Sequence, residues 1–446
     1  MAGKSIAAAA AALCATVWAV QGYVGSKKPT ETDEVGETQK TAEEPTTDVE
    51  PTSGWTTAVE PKPLDDYVLR GLDWLIETQH TGGGWSQGEE SNRMGQGMEA
   101  VKDKANVADT CISALALIRS GSTPSAGPYA ASLAQAVAFV CDQVERSDPE
   151  SLYVTDVRGT RVQAKIGTYI DTFLASMMLA EVKGRMPDEA TEARVAAALD
   201  KVLEKTSRNQ NVDGSWDNRG WAPVLAQSMA SKGLNRAWQA GAAVREATMT
   251  ASDSYFLALG DPLDADTALR GRASSAAGVQ LYAAGASLGA LQESANTNEM
   301  RKPALYAMST GATGAKPEAQ EEAARDLDRI AVTDAAHADV QAAVLARLDD
   351  PAFVAGFGTN GGEEFLSYMN ISESLVVRAD DDWRSWDAAM AENLSRVQNA
   401  DGSWTGHHCI TGRNFCTAAA LLVLMADRTP VPVAVAEAAP VSADPR

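Results

Sequence analysis

The chain is short of positive charge. Lysine and arginine number 38 against 60 aspartates and glutamates, a net charge of −22 over 446 residues. A chain that acidic repels a phosphate backbone, which excludes nucleic acid as a partner. No internal apolar run reaches the ~20 residues of a transmembrane helix, so the chain is not a polytopic membrane protein. Absent too are a phosphate-binding loop, a dinucleotide fingerprint and a Ser-His-Asp signature. Short alternating strand patterns are scarce. What remains, 45% apolar and 22% charged, is ordinary globular composition and not that of a wholly disordered or collagen-like chain.

The ends differ from the middle. Residues 1–26 read as an export signal or an N-terminal anchor: Lys4 precedes the uncharged stretch Ile6 to Val20, and Val17 and Ala19 suit a cleavage site. The protein is therefore expected to be exported, or tethered to a membrane only through an uncleaved N-terminus. Residues 27–63 are rich in threonine and proline and carry nine acids against four lysines, the pattern of an extended acidic linker. Residues 429–446, rich in proline and alanine, read as a disordered tail.

Between them, residues 64–428 show helical periodicity of two alternating kinds. Segments beginning near Leu64, Pro128, Pro187, Glu246, Pro317 and Asp382 are amphipathic, as in Val68, Leu72, Leu75 and Ile76 against Asp65, Asp66, Arg70, Asp73 and Glu77. The others are apolar or small on nearly all sides and read as buried. They run from Asp109 to Leu117, Asp171 to Leu179, Leu234 to Val244, Ala273 to Leu291, Glu364 to Val377 and Asn414 to Met425. Three links share a signature: Gln79 then Gly82-Gly-Gly-Trp85, Gln210 then Asp213-Gly-Ser-Trp216, and Gln398 then Asp401-Gly-Ser-Trp404. Glycine ends the helix, the glutamine amide reaches loose backbone, and the indole covers the junction.

The pattern Arg70, Gly71, Trp74, Leu75, Gln79, Gly83 and Trp85 closely resembles the squalene-cyclase-type repeat of terpenoid cyclases and protein prenyltransferase β subunits. The resemblance implies an all-α fold, an α/α toroid of about six outer and six inner helices over residues 64–428 whose inner ring lines a cavity. It also implies an apolar, isoprenoid-type ligand, and, for an enzyme, cyclase- or transferase-like chemistry. The cyclase acid motif is not intact, since Asp264-Ala-Asp266-Thr-Ala268 falls one acid short, and Asp380-Asp-Asp382 sits at a helix start where acids suit the dipole. Aromatics to shelter a carbocation are only 6% of the chain.

Prenyltransferases of this kind hold zinc through aspartate, cysteine and histidine. In a closed ring the first and last inner helices are neighbours, so Asp109, Cys111, His407, His408, Cys409 and Cys416 are expected to share one neighbourhood. Asp109 and Asp171 are the candidate catalytic acids, and Cys111, His407, His408, Cys409 and Cys416 the candidate ligands for zinc. An even set of cysteines beyond Cys14 (111, 141, 409 and 416) fits disulfides equally. Asp171, before a threonine at a helix start, also reads as an N-cap. Glu363 and Glu364, with Tyr368, Asn370 and Glu373 following, suit acid–base work on a sugar. His80 and His337 read as surface or turn residues. Besides the isoprenoid reading, a non-catalytic scaffold or binding module and a carbohydrate-active toroid are thus open.

Overall fold

The computed structural model describes residues 54–92, 98–217, 219–263, 277–358 and 360–438. The signal or anchor segment, Cys14, most of the acidic linker, the Asp264-Ala-Asp266 motif and residues 439–446 lie outside them.

The described chain is all-α apart from one short strand pair. Six helices carry one buried face each: α1 (Asp66–Thr78), α3 (Ala130–Arg146), α6 (Glu189–Arg208), α8 (Glu246–Leu259), α10 (Pro317–Leu345) and α13 (Asp381–Val397). In α1 that face is Val68, Gly71, Leu72 and Leu75, the spacing that puts apolar side chains on one stripe. The alternating set is α2 (Val107–Arg119), α5 (Ile170–Val182), α7 (Pro223–Gln239), α9 (Ala277–Ser309), α12 (Gly362–Leu375) and α14 (Arg413–Leu424). Every residue of α2, α5 and α12 is buried. Short helices α4 (Arg161–Lys165) and α11 (Pro351–Val354) lead into α5 and α12.

Each buried helix packs on two others of its set. The neighbours run α2, α5, α7, α9, α12, α14, and α14 packs on α2. There Asn414 donates its side-chain amide to Ser113 Oγ at 3.1 Å and to Asp109 Oδ1 at 3.4 Å.

The three glutamine–tryptophan links are built alike. The indole N–H of Trp85 donates to the Leu75 carbonyl at 2.7 Å, that of Trp216 to Thr206 at 2.8 Å, and that of Trp404 to Leu394 at 2.8 Å. Each ring thus satisfies a carbonyl at its own helix end while lying fully buried. The glutamine amide bridges outward. Gln79 donates to Gly83 and Ser132 carbonyls, Gln210 to Gly214 and Thr248, and Gln398 to Gly402 and Tyr67. Gly71 is forced by the same packing, because a Cβ there would stand 2.7 Å from Trp404 Cζ3.

Three boundaries differ from the sequence expectation. Helix α7 begins at Pro223, well before Leu234, since its first turns carry Gln227, Ser228 and Ser231, polar groups that hide the buried face. Helix α9 runs past Leu291 through Pro303 to Ser309 and pairs with α10 as a long hairpin with a small core of its own, Leu305, Ala323 and Ile330. Finally, the disordered tail from Thr429 and the linker to Pro63 meet a correction. Trp55–Thr56 (β1) pairs antiparallel with Val431–Pro432 (β2), followed by α15 (Val433–Ala438). Val431 is fully buried, and Asp427 accepts the Lys62 backbone N–H at 2.7 Å, so both ends carry native contacts their composition concealed. No described helix is long and apolar enough to cross a membrane.

Candidate functional site at the starts of the buried helices

The two ends of the buried set differ in chemistry. Toward the ends of α2, α5, α7 and α12, with Glu293 of α9, lie three cations and three anions, all buried: Arg119, Lys232 and Arg236 with Glu181, Glu293 and Glu373. Arg119 and Arg236 both donate to Glu181 (2.9 and 2.7 Å), Arg236 pairs with Glu293 (2.8 Å), and Lys232 donates to Glu373 (2.5 Å). Burial would raise the Glu373 carboxyl, but Lys232, Arg236 and Arg119 together hold it down at about 2. Opposed charges in equal number compensate one another there. Gln239 links it to Trp55, whose indole N–H donates to the Gln239 side chain at 3.2 Å.

At the helix starts the balance is acidic. Asn106 caps α2 by accepting the Asp109 N–H (3.0 Å) and donates in return to Asp109 Oδ2 (2.7 Å). Burial pushes Asp109 up to about 7, against the hydrogen bonds from Asn106 and Asn414. Asp171 does not cap its own helix. It accepts the Ala108 N–H of α2 at 3.0 Å and the Gln163 amide at 2.8 Å, so it ties α5 to the start of α2. Burial raises it as well, and raises Glu90, which accepts from Thr411 N–H at 2.8 Å.

Glu363 and Glu364 open α12. Burial first and the neighbouring Glu364 second push Glu363 up to about 8, so it holds a proton at neutral pH. Its Oε2 accepts the Ile410 N–H at 3.2 Å, while Oε1 is buried without a partner. Glu364 Oε1 accepts the Tyr282 hydroxyl at 2.5 Å and the Phe357 N–H at 3.1 Å, and lies 3.5 Å from His408 Nε2. Above these acids stand aromatic rings from different parts of the chain. Phe357 is 5.8 Å from Tyr282, 6.2 Å from His408 and 6.4 Å from Trp221, centroid to centroid, and Lys165 lies over the Trp221 ring at 5.8 Å, near enough to Glu363 to oppose the rise of its carboxyl. Trp221 and Phe357 are 41% and 39% exposed, which sets them apart from the buried junction tryptophans.

The zinc expectation meets a correction. Among the described residues, no three histidine, cysteine, aspartate or glutamate side chains converge as a metal site. Cys111 is buried close enough to Cys141 for the two thiols to interact, and Cys416 points its thiol at the Ile410 carbonyl (3.5 Å). His407 is exposed, and His408 turns to Glu364 and Phe357. Cys409, at φ 53°, meets Glu363, and burial with that contact pushes its thiol up to about 12. The disulfide alternative fails too, since Cys111, Cys141, Cys409 and Cys416 are all free. Asp109 and Asp171 lie together at the helix starts and tie helices to one another, Asp109 by accepting from Asn414 of α14 and Asp171 by accepting the Ala108 N–H of α2. The acids Asp380 and Asp382 serve α13: Asp380 caps it through the Trp383 N–H, and both pair with Arg378. His80 sits in a turn against Ser86, but His337 is a correction. It lies within α10 beside a cavity shared with Asn296 and Val435, where burial lowers it to about 4. Trp221 and Phe357, exposed in loops, and Tyr282, buried within α9, were invisible in the sequence, because no local pattern shows which aromatics packing brings together.

No family model matches the chain, and no curated protein is significantly similar to it.

Proposed function

We propose that the described domain is an α/α toroid, its six buried helices forming an inner ring, and that the helix starts form an acid–base catalytic site. The return contact of α14 on α2 and the Gln398–Tyr67 bond support the ring. Both features accord with kinship to terpenoid cyclases and prenyltransferase β subunits, and export through residues 1–26 is part of the same reading. The single observation that carries the catalytic reading is Glu363, a buried, protonated carboxyl with one oxygen unpartnered, beside Glu364 and beneath exposed aromatic rings. In this reading Glu363 is the general acid. Glu364 raises its affinity for the proton and is itself oriented by Tyr282 and Phe357.

An apolar, isoprenoid-type ligand is a second reading, favoured by the arc of Trp221, Phe357 and Tyr282. The partnerless oxygens of Glu363, Glu364 and Asn360 favour a polar ligand instead. Infrared difference spectra test the acid directly. A carboxylic-acid C=O band at pH 7 that disappears in Glu363→Gln supports the assignment. Identical spectra for variant and wild type would remove the acid and leave the ring a non-catalytic scaffold.

A further inference from the structure

The aromatic rings and the unpartnered oxygens describe a ligand. Trp221 precedes α7, Phe357 precedes α12 and His408 precedes α14, so the rings come from three separate helix starts. Exposed indole and phenyl faces in one place favour a ligand with a flat, C–H-rich face, since burying such rings is favourable and they are uncovered on that side. Beneath them the atoms without partners are of both kinds: Glu363 Oε1, which carries the acid's proton and donates, the acceptors Glu364 Oε2 and Asn360 Oδ1, and the two ring nitrogens of His408. A buried polar atom left unmatched is costly, so the complementary ligand carries groups that both donate and accept, as hydroxyls do. A stack of C–H face and hydroxyl edge is the chemistry of a pyranose ring. The acid pair and a net charge of −22 disfavour a polyanionic sugar.

We infer that the site binds a neutral glycan, one sugar ring lying on Trp221 and Phe357 with its hydroxyls directed to Glu363, Glu364 and Asn360. This rests on the acid–base reading of Glu363. The step it implies is hydrolysis. Glu363 gives its proton to the departing glycosidic oxygen as the C–O bond breaks. Water adds to the anomeric carbon, and its spare proton returns to the Glu363 carboxylate.

Affinity electrophoresis of the full chain through gels holding hydroxyethyl cellulose, laminarin, glucomannan or xylan tests the binding, with polygalacturonate gels and added spermidine as controls. Retardation by at least one neutral glycan is expected. Trp221→Ala and Phe357→Ala, checked for unchanged melting temperature, should each weaken it about tenfold. Wild type should release reducing ends from the glycan that retards it, and Glu363→Gln should release none. No retardation in any neutral gel, equal retardation of Trp221→Ala, or binding that spermidine abolishes would overturn the glycan assignment. None of those results touches the infrared band of Glu363, so the two readings fail separately.

Discussion

The side-chain amide of Gln398 donates to the backbone carbonyl of Tyr67, 2.7 Å away and 331 residues earlier in the chain. Gln79 and Gln210 make the same bond, at 2.9 and 3.0 Å, to the amphipathic helix that follows their own. Only sequence distance distinguishes the three. Gln398→Ala is therefore expected to cost about 1 kcal/mol, the worth of a part-buried amide bond. Hydrogen exchange should rise in α1 as well as at the end of α13, and protection of α1 equal to wild type would contradict the link.

The turn glycines divide sharply. Gly214 has φ 82°, and a Cβ there would lie 1.8 Å from the Ala251 carbonyl oxygen, whereas nothing stands within 4 Å of a Cβ at Gly82. Gly214→Ala should destabilise by about 3 kcal/mol or more, since backbone must move. Gly82→Ala should be near neutral. Urea unfolding of the two variants compares them.

This contrast shows what the sequence makes legible. The spacing of Gln, Gly and Trp is local and repeated, so the junctions and the alternation of buried and amphipathic helices stand out in it. The site does not. Trp221, Tyr282 and Phe357 are scattered through the chain, and only packing brings them to Glu364 and His408. The cysteines misled for the same reason. Asp109-Thr-Cys111 and Asn414-Phe-Cys416 share a register, but Cys416 turns to the Ile410 carbonyl and Cys111 is fully buried among the apolar side chains of the core. The ends misled because low-complexity composition does not reveal a two-residue strand pair.

The buried charges set the acid limit of the fold. Glu373→Gln leaves Lys232 without its hydrogen-bonded anion and weakens the pairing of Arg119, a loss of about 3–5 kcal/mol. Because the Glu373 carboxyl sits at about 2, below its unfolded value, its contribution is complete above that value and drains away as pH falls toward 2. Melting temperatures between pH 6 and pH 3 should fall less steeply in the variant than in wild type.

Glu363 has the opposite sign. Its carboxyl is raised to about 8, so the native state keeps a proton that the unfolded chain has released, and stability declines as pH climbs from the ordinary glutamate range through 8. Glu363→Gln removes that decline. Relative to wild type, the variant should gain about 4 kcal/mol between pH 5 and pH 9. Parallel pH profiles would show that the carboxyl is not raised.

Closure of the ring underlies every later step, and it is tested most directly by a cross-link between α2 and α14. Ser113 Oγ and Asn414 Nδ2 are 3.1 Å apart. In the variant Ser113→Cys, Asn414→Cys with the native Cys111 and Cys416 replaced by Ala, mild oxidation followed by trypsin should leave the peptides of α2 and α14 joined in one disulfide-linked species. Two separate peptides, each carrying an alkylated thiol, would mean that the first and last buried helices do not meet.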